Sequence, residues 1–600
     1  MFPPFDNGTS LPAMAFDFSV PMFAAVDFWM TRWLTPVWFL GGGVILGLLV
    51  LSVFLVVFFS LSPIKQLEKL RRDGSAHFLA LAVTLVLGGA YAAYTKFSQD
   101  GQSSFTLGGV FVNEEWAMIS IAVTMMIGVV VWAILFCSSP RFLGELRALF
   151  FEGIGLYMLS TLAGISLIAL ASTFLVDKPL VAIQGIPQLF AANDQTFPFP
   201  VAGAKGEDQE GEFQKIELRY DPALLGQVEI NSNRRLILTD APSLGESRIK
   251  PQTIEAKRPL IWTSKKGGDE CPLPLVAGAE IYVQNQEIDP ATLEIRVVST
   301  PIVRQSATFI LVAVFVTVFG LLFMLMQAVS PKVAAIALSA AKSELSQPLP
   351  IILIIIVALS ILLFVFLPFH TLGEDIKLLK DCGVTLILIA ATFQAVWSAS
   401  TSVNEEIEGR TALTLLSKPI HRRSFIIGKI LGVVWIVMLM FMVLGTVELL
   451  SVAYKPIYEA RENSLEQPDW QQCHQEMMQT IPGLALAFFQ SVVLGAFSVA
   501  LGTRFGLLAN FTICFSIYLL GHLTPTIVDS AAGGLPLVEF FSQLISAVIP
   551  NLSHFSMEAA IDADVSIPWS VIASVFIYTT IYGVAATLIG LLLFEDRDLA

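Results

Sequence analysis

The stretch NEEIEGRTALTLLSKPIHRRSFIIGK, residues 404–429, is a polar interruption between two long apolar runs. It begins with three acidic residues and ends with a basic cluster, which suits the two ends of a short helix dipole. Leucines at helical spacing lie between them, and they would be exposed to water unless they rested on a membrane surface or docked against a partner. We therefore interpret the stretch as a docking element. The alternative is a solvated loop, and its basic end could also bind acidic lipid headgroups.

The composition of the chain is that of a membrane protein. Of its 600 residues, 55% are hydrophobic and only 14% are charged, whereas about a quarter of the residues in a typical soluble protein are charged. Crossing a bilayer takes about 20 apolar residues. Eleven segments meet this requirement, and a count of ten to twelve fits the sequence. The predicted spans are 37–60, 77–95, 116–137, 152–175, 305–328, 350–368, 384–402, 426–451, 482–503, 508–528 and 568–593.

The short loops predict the orientation, because cytoplasmic loops carry an excess of Lys and Arg. The loop 61–76 holds four basic residues, whereas the loop 529–567 holds none. Counting spans from the first of these loops places 404–429 and the C-terminus in the cytoplasm. The N-terminus and residues 177–304 are then outside.

Two segments are predicted to lie at the membrane interface. Residues 1–36 form an external or interfacial N-terminal segment, because aromatic side chains recur there and favour the headgroup level. Residues 369–383 are placed outside despite Lys377 and Lys380. We expect this segment to be amphipathic, to lie along the interface and to end at Gly383.

Residues 177–304 are polar and rich in Pro, Gly and charge. Short runs of β-forming residues, separated by turn signals, predict a sandwich-like β domain, and 188–213 is expected to be a flexible loop. Four spans in 37–176 precede this domain, a fifth span at 305–328 follows it, and 329–600 forms a six-helix module. The predicted strands are 215–220, 227–231, 235–239, 259–263, 280–284 and 293–299.

The sequence contains no motif for catalysis, for a cofactor or for a metal. It lacks the glycine-rich phosphate-binding loop, the paired-histidine zinc motif and the nucleophile elbow. We therefore predict no catalytic residue, no cofactor site and no metal site in this chain. A net charge of -14 argues against a nucleic-acid partner. Cys382 and Cys473 could pair outside the membrane, although free thiols are the favoured interpretation.

Ionisable groups inside the predicted spans are scarce. Glu448 lies late in its span, and a carboxylate that reaches the lipid headgroups is favoured over one that contacts a substrate. Gln394 and Gln490 are expected to form hydrogen bonds across helices. No chain of acids marks a proton path, which argues against a proton-coupled transporter.

Within 404–429, residue types follow a fixed order: an acid pair, then a further acid with Gly and, after Arg410, Thr, then hydrophobic residues with two leucines, Pro, a base, an aromatic residue and Gly-Lys. This order resembles the cytoplasmic loop between the second and third helices of ABC-2 type permeases. It is most similar to the branch of the gliding-motility permease and the nitrous-oxide-reductase maturation permease. Arg410 is inserted relative to that pattern, and the resemblance covers about residues 330–600. The matching residues are Glu405, Glu406, Glu408, Gly409, Thr411, Leu415, Leu416, Pro419, Arg422, Phe425, Gly428 and Lys429.

The resemblance implies a permease subunit that is not itself an enzyme. Permeases of this family work as homo- or heterodimers above ATP-binding subunits, so ATP and Mg²⁺ would be bound by the partner subunit. It implies that 404–429 couples the two, with Glu406, Gly409, Arg410, Pro419 and Arg422 as central residues. The chain would lie in the bacterial cytoplasmic (inner) membrane, in contact with lipids. Independently of the resemblance, the presence of an external domain leads to the hypothesis that 177–304 binds an envelope protein or a polymer outside. The alternatives are an ABC-type assembly that does mechanical work on envelope proteins without substrate flux, and a membrane scaffold or channel with no ATPase.

Overall fold

The computed structural model describes residues 29–100, 116–176, 179–191, 194–203, 213–216, 218, 224–242, 251–256, 258–263, 273, 281–367, 374–408, 421–531, 536–563 and 565–595. Helices dominate this part of the chain, and a β-rich unit is inserted between the fourth and fifth long helices. The predicted fold class, a polytopic all-α protein with one inserted sandwich-like domain, is confirmed.

Eleven helices in the described part of the chain are long and apolar enough to cross a membrane, which is the number that the sequence predicts. The second half of the chain contains the longest of them. Their bounds are α1 Trp29–Leu61, α3 Ser75–Asp100, α4 Trp116–Cys137, α6 Gly153–Ser172, α8 Ala307–Val329, α10 Pro348–Phe366, α11 Asp375–Glu408, α12 Arg422–Glu462, α13 Trp470–Gly502, α14 Leu507–Ala531 and α17 Trp569–Glu595.

Shorter helices connect the spans. The helix that follows α8 begins at Pro331. Proline has no backbone N–H, and no hydrogen bond is lost here because the N–H groups of a first helical turn have no partner within the helix. Its alanine-rich face is buried, with Ala334 and Ala337 fully covered. The shorter helices are α2 Lys65–Arg72, α5 Pro140–Phe151, α7 Pro179–Ala191, α9 Pro331–Leu345, α15 Pro536–Val548 and α16 Glu558–Asp562.

The inserted domain is a sandwich of two four-stranded antiparallel sheets, ordered β1-β8-β3-β6 and β2-β7-β4-β5. Both sheets contribute to one apolar core, and the residues of β8 alternate between buried and exposed, as period-two side chains require. The strands are β1 Asp194–Val201, β2 Gln214–Ile216, β3 Leu225–Ser232, β4 Leu236–Thr239, β5 Gln252–Ile254, β6 Leu260–Thr263, β7 Ile281–Asn285 and β8 Ala291–Ser299.

All six predicted strands are present, but two others were missed. The expectation of a flexible loop is wrong for residues 188–191 and 194–201, because α7 continues to Ala191 and β1 spans Asp194–Val201, whereas residues 192–193 and 204–212 lie outside the described residues. Pro198 and Pro200 disfavour a strand, so residue propensities do not predict β1. The two prolines are tolerated because β1 is an edge strand, which pairs with a neighbour on one side only and so does not need every backbone N–H for the sheet. The second missed strand, β5, has only three residues and is also an edge strand.

Helix α1 joins the two halves of the chain. Its glycines allow close approach to α6 and α8: a Cβ at Gly41 would stand 2.4 Å from the Cβ of Ala169, and one at Gly43 would stand 2.7 Å from the Cβ of Val312. At its other face, the ring of Trp33 packs edge-on against Tyr454 of α12 with centroids 5.6 Å apart. The first spans therefore pack directly on the second half of the chain.

The start of α1 changes one expectation. Residues 1–28 lie outside the described residues, but 29–36 of the predicted interfacial segment are helical and continue into the first span. Trp33 is thus a packing residue of the bundle rather than an exposed anchor at the headgroups.

The prediction that residues 369–383 lie along the interface and end at Gly383 is wrong. From Asp375 onward these residues are the first turns of α11, which runs unbroken to Glu408. Lys380 is only 5% exposed, because its ammonium donates to Glu476 and Gln479 of α13. The two charges are matched across the helix pair, so this basic residue sits inside the bundle instead of facing headgroups.

Candidate functional site

The loop that the sequence singles out lies between α11 and α12. Glu405, Glu406 and Glu408 are on the last turns of α11, which ends at Glu408. The next residues of the predicted docking element lie outside the described residues: Gly409, Arg410, Thr411, Leu415, Leu416 and Pro419. The remaining four predicted residues, Arg422, Phe425, Gly428 and Lys429, occupy the first two turns of α12.

The first turn of α12 is fixed against the last span. Phe425 is 2% exposed and stacks on Phe594 of α17, with ring centroids 5.7 Å apart and planes 18° apart. Arg422 is exposed and its guanidinium lies over the same ring, 5.8 Å from the centroid. The loop therefore enters the membrane domain at an aromatic contact, not at a free helix end.

One turn later, α12 packs closely on α9. A Cβ at Gly428 would lie 2.8 Å from the Cβ of Ile336, and one at Gly432 would lie 2.9 Å from the Cβ of Ala340. Small residues spaced by four bring two helix backbones together in membranes. Gly428 is therefore a packing position, and any larger side chain would push α12 away from α9.

Lys429 is buried, with 2% of its surface exposed. Its ammonium donates to the backbone carbonyl of Ser402 on α11 at 3.1 Å and lies 5.7 Å from the ring centroid of Phe425. Lys429 therefore does not belong to an exposed basic cluster, whereas Arg422 and Arg423 are exposed. An ammonium inside the bundle is stable only where carbonyls or carboxylates satisfy it, and the carbonyl of Ser402 is such a partner.

The adjacent residue of α11 is bound from the other side. Thr401 donates to the buried carboxylate of Glu344, at the end of α9, over 3.2 Å. On the same face of α11, the indole of Trp397 donates to Gln347 at 3.4 Å. One turn of α11 thus forms hydrogen bonds with a carboxylate of α9 and with an ammonium of α12. We call Glu344, Thr401, Ser402 and Lys429 the basal junction.

Sequence reasoning found Lys429 but missed Glu344 and Thr401. Glu344 is the only acidic residue of α9, on a helix that is otherwise alanine-rich with two lysines. A lone acid at the end of an apolar helix face was the available signal, but its partner is 57 residues away and only the packing reveals it.

A second polar group ties α11, α13 and α14 together deeper in the bundle. The side-chain amide of Asn510 donates to the hydroxyl of Ser400 at 2.7 Å, and to the hydroxyl and the carbonyl of Ser498, each at 3.0 Å. The prediction for Gln394 is wrong: it is fully buried, and neither atom of its amide group has a hydrogen-bond partner among the described residues. The amide nitrogen of Gln490 likewise donates to none.

At the other end of the same helices, Glu448 does not reach the headgroups. Its exposure is 0%, and it packs against Gly383 of α11. The predicted carboxylate at the lipid surface is therefore wrong. Cys382 and Cys473 are free thiols. Within the described ranges, no group of three His, Cys, Asp or Glu side chains is arranged to hold a metal ion.

The family model described as ABC-2 family transporter protein matches residues 299–599. This is half of the chain, and it contains seven of the eleven spans together with the whole basal junction. The chain belongs to the ABC-2 transporter family. The comparison with curated proteins and the comparison with solved structures each found no match.

The family match starts about 30 residues before the resemblance that the sequence motif suggests. It therefore includes α8, the span that returns from the β-sandwich. As an ABC-2 family member, the chain is a membrane-spanning permease component, a kind of protein that normally works with an ATP-binding subunit.

Proposed function

We propose that this ABC-2 chain is the permease subunit of an ATP-driven transporter and couples ATP hydrolysis by a separate subunit to export or to mechanical work. ATP and Mg²⁺ would be held by that partner, since this chain has no phosphate-binding loop. The basal junction is the observation that carries the proposal. The segment 404–429 is flanked by two helices whose inner ends are bonded to each other and to α9.

The proposed mechanism is mechanical. Glu405, Glu406 and the residues up to Pro419 sit in grooves of the ATP-binding subunits, and closure of these subunits displaces the loop. Because Lys429 and Ser402 are bonded, α11 and α12 move as a pair at their inner ends. Glu344 transfers the same movement to α9, which lies between α8 and α10 in the chain.

The proposal also covers the orientation of the chain, the membrane that holds it and its oligomeric state. The N-terminus and residues 177–304 are outside, 404–429 and the C-terminus are in the cytoplasm, and the membrane is the bacterial inner membrane. Two copies of the chain, or this chain and a related one, form the permease pair. Exposed Arg422 and Arg423 are positioned to contact acidic lipid headgroups near the loop.

One feature favours mechanical work on envelope proteins over export of a small substrate. The last strand of the sandwich, β8, ends at Ser299, and only residues 300–303 and the 3-10 turn Arg304–Ser306 separate it from α8. Helix α8 in turn leads through Ser330 into α9. A helix that starts at the sandwich thus ends at the helix of the basal junction. Movement at the junction has a short covalent route to the sandwich, consistent with the resemblance to the gliding-motility branch and with an envelope protein bound at 177–304.

The test is affinity purification of the full chain from its native membranes in mild detergent, with mass spectrometry of the associated proteins. A variant with Glu405→Lys and Glu406→Lys is compared with a control, Glu152→Lys. Glu152 is exposed, and span counting puts it on the same side of the membrane as the loop. We expect an ATP-binding subunit with the native chain and the control, but not with the double variant.

If no ATP-binding subunit accompanies the folded native chain, the scaffold or channel alternative replaces the permease proposal. If it is retained by the double variant, the role of the acids at the loop is refuted. Crosslinks from 177–304 to a specific envelope protein, without substrate flux in reconstituted vesicles, would select mechanical work over export.

A further inference from the structure

Glu448 is the most isolated ionisable side chain among those that the structure describes inside the spans. It lies on α12, its exposure is 0%, and neither carboxyl oxygen has a hydrogen-bond partner among the described residues. Its carboxyl group fills a notch on α11: a Cβ at Gly383 would stand 2.1 Å from Oε2 of Glu448. The glycine therefore leaves the space that the carboxyl group occupies.

The charged state does not fit this notch. An ionised carboxylate inside a membrane domain is costly, and the cost is larger where no donor satisfies it. A protonated carboxyl group carries no net charge, so it avoids most of this cost. We propose that Glu448 is a proton-binding site, in which a carboxylic acid stays neutral at neutral pH within the glycine notch between α11 and α12.

Among the described residues, the cations near the notch are already bound by other groups. Lys455, on α12 itself and two turns from Glu448, donates to the carbonyl of Val365 and lies 3.8 Å from a carboxyl oxygen of Asp375. On α11, Lys380 lies one turn from Gly383, but its ammonium is already bound by Glu476 and Gln479. Asp381 and Cys382 also belong to α11, and Cys382 is close enough to interact electrostatically with Glu448. A negative charge on Asp381 or on Cys382 would favour the neutral acid further.

The other helices packed on α12 carry no cation at this level. Residues 477–489 of α13, all of α6, all of α10, and α1 from Trp33 onward have no Asp, Glu, His, Lys or Arg. Arg32, at the start of α1, is bonded to the carbonyl of Gln467. The ionisable residues of α17 beside the bundle core are Tyr578 and Tyr582. Those of α9, namely Lys332, Lys342 and Glu344, belong to the opposite end of α12, where Gly428 and Gly432 pack.

The site has a consequence for the packing of α11 on α12. The packed state holds the neutral acid, whereas an unfolded state exposes the carboxyl group to water, where it ionises. The stability that the neutral acid contributes is therefore fully present only below about pH 4.3, the usual pKa of a glutamate in water, and it falls as the pH rises above that value. A glutamine at this position is also neutral and of similar shape, so the packing of Glu448→Gln should not share that dependence.

Reaction with dicyclohexylcarbodiimide tests the site directly. A protonated carboxyl group adds across one C=N bond of this apolar reagent, and acyl transfer to nitrogen then leaves a stable acylurea that mass spectrometry locates. At about pH 8, an ordinary glutamate is protonated in only about one molecule in 5,000, given its usual pKa of about 4.3. We expect an acylurea on Glu448 in the full chain at that pH, none at this position in Glu448→Gln, and none on Glu476, which is paired with Lys380.

A second measurement does not depend on access of the reagent. The infrared carbonyl band of a protonated carboxyl group should be present at about pH 8 in the native chain and absent from Glu448→Gln, with both proteins folded. Absence of this band from the native chain would overturn the proposal, whatever the labelling shows. An acylurea on Glu448 together with the band would establish it, and the band without the acylurea would show a neutral acid that the reagent does not reach.

Discussion

Replacing Lys429 with Met tests the basal junction most directly. Methionine keeps the apolar stem and approximate volume of lysine, but it cannot donate to the carbonyl of Ser402. A hydrogen bond from a charged donor contributes about 1.5–3 kcal/mol. Because the side chain of Lys429 is only 2% exposed, the native chain makes this bond out of contact with bulk water. We expect the free energy of unfolding to fall by about 1.5–3 kcal/mol.

The matched control is Arg423→Met, which removes a positive charge from an exposed side chain on the first turn of the same helix. A substitution there should change stability by less than about 0.5 kcal/mol. Thermal unfolding in detergent can be followed with a thiol-reactive fluorophore, because Cys137, Cys473 and Cys514 are buried free thiols that react only on unfolding. We expect a clear fall in the midpoint for Lys429→Met and little change for Arg423→Met.

The same pair of variants tests the coupling between ATP hydrolysis in the partner subunit and movement of the permease. If Lys429 makes α11 and α12 move together, Lys429→Met should still bind the ATP-binding subunit but should weaken the dependence of ATPase activity on the permease. Equal melting midpoints for Lys429→Met and Arg423→Met would refute the reasoning about the junction. A stability loss with unchanged coupling would leave Lys429 as a purely structural residue.

Three further changes are expected to separate packing from polarity. Gly383→Ala should destabilise the native chain by about 1–3 kcal/mol, but it should cost much less in a Glu448→Ala background, because the clashing carboxyl group is then gone. Additive effects in this double-mutant cycle would contradict the contact between Gly383 and the Glu448 carboxyl group. Asn510→Leu should cost about 1–2 kcal/mol because the amide's hydrogen bonds to Ser400 and Ser498 are lost, whereas Thr512→Val, at an exposed position on the same helix, should be near neutral in the same thermal assay. Gly43→Ala should destabilise the α1–α8 contact by about 1–3 kcal/mol, while Gly164→Ala, at a position with open space around it, should be neutral or slightly stabilising. A larger loss of stability for Gly164→Ala than for Gly43→Ala would argue against the close approach of α1 to α8.

Features of this protein that depend on local composition can be predicted from the amino-acid order alone. Long apolar runs need a nonpolar solvent and internally satisfied backbone groups, so the eleven spans could be counted before any packing was known. Alternating β-forming residues located six strands of the sandwich in the same way. The ordered polar stretch 404–429 pointed to the ABC-2 family, to which the match over residues 299–599 assigns the chain.

The roles of the polar residues inside the bundle depend on how the helices pack, which the local sequence does not show. From the sequence, Lys429 is interpreted as part of a basic cluster, but in the structure it binds a carbonyl of α11. From the sequence, Glu448 is interpreted as a headgroup contact, but in the structure its carboxyl group packs against Gly383. The partners in both cases come from another helix, 27 residues away for Ser402 and Lys429. Local sequence fixes hydrophobicity, but the stability of a buried charge depends on atoms that packing alone brings within a few ångströms.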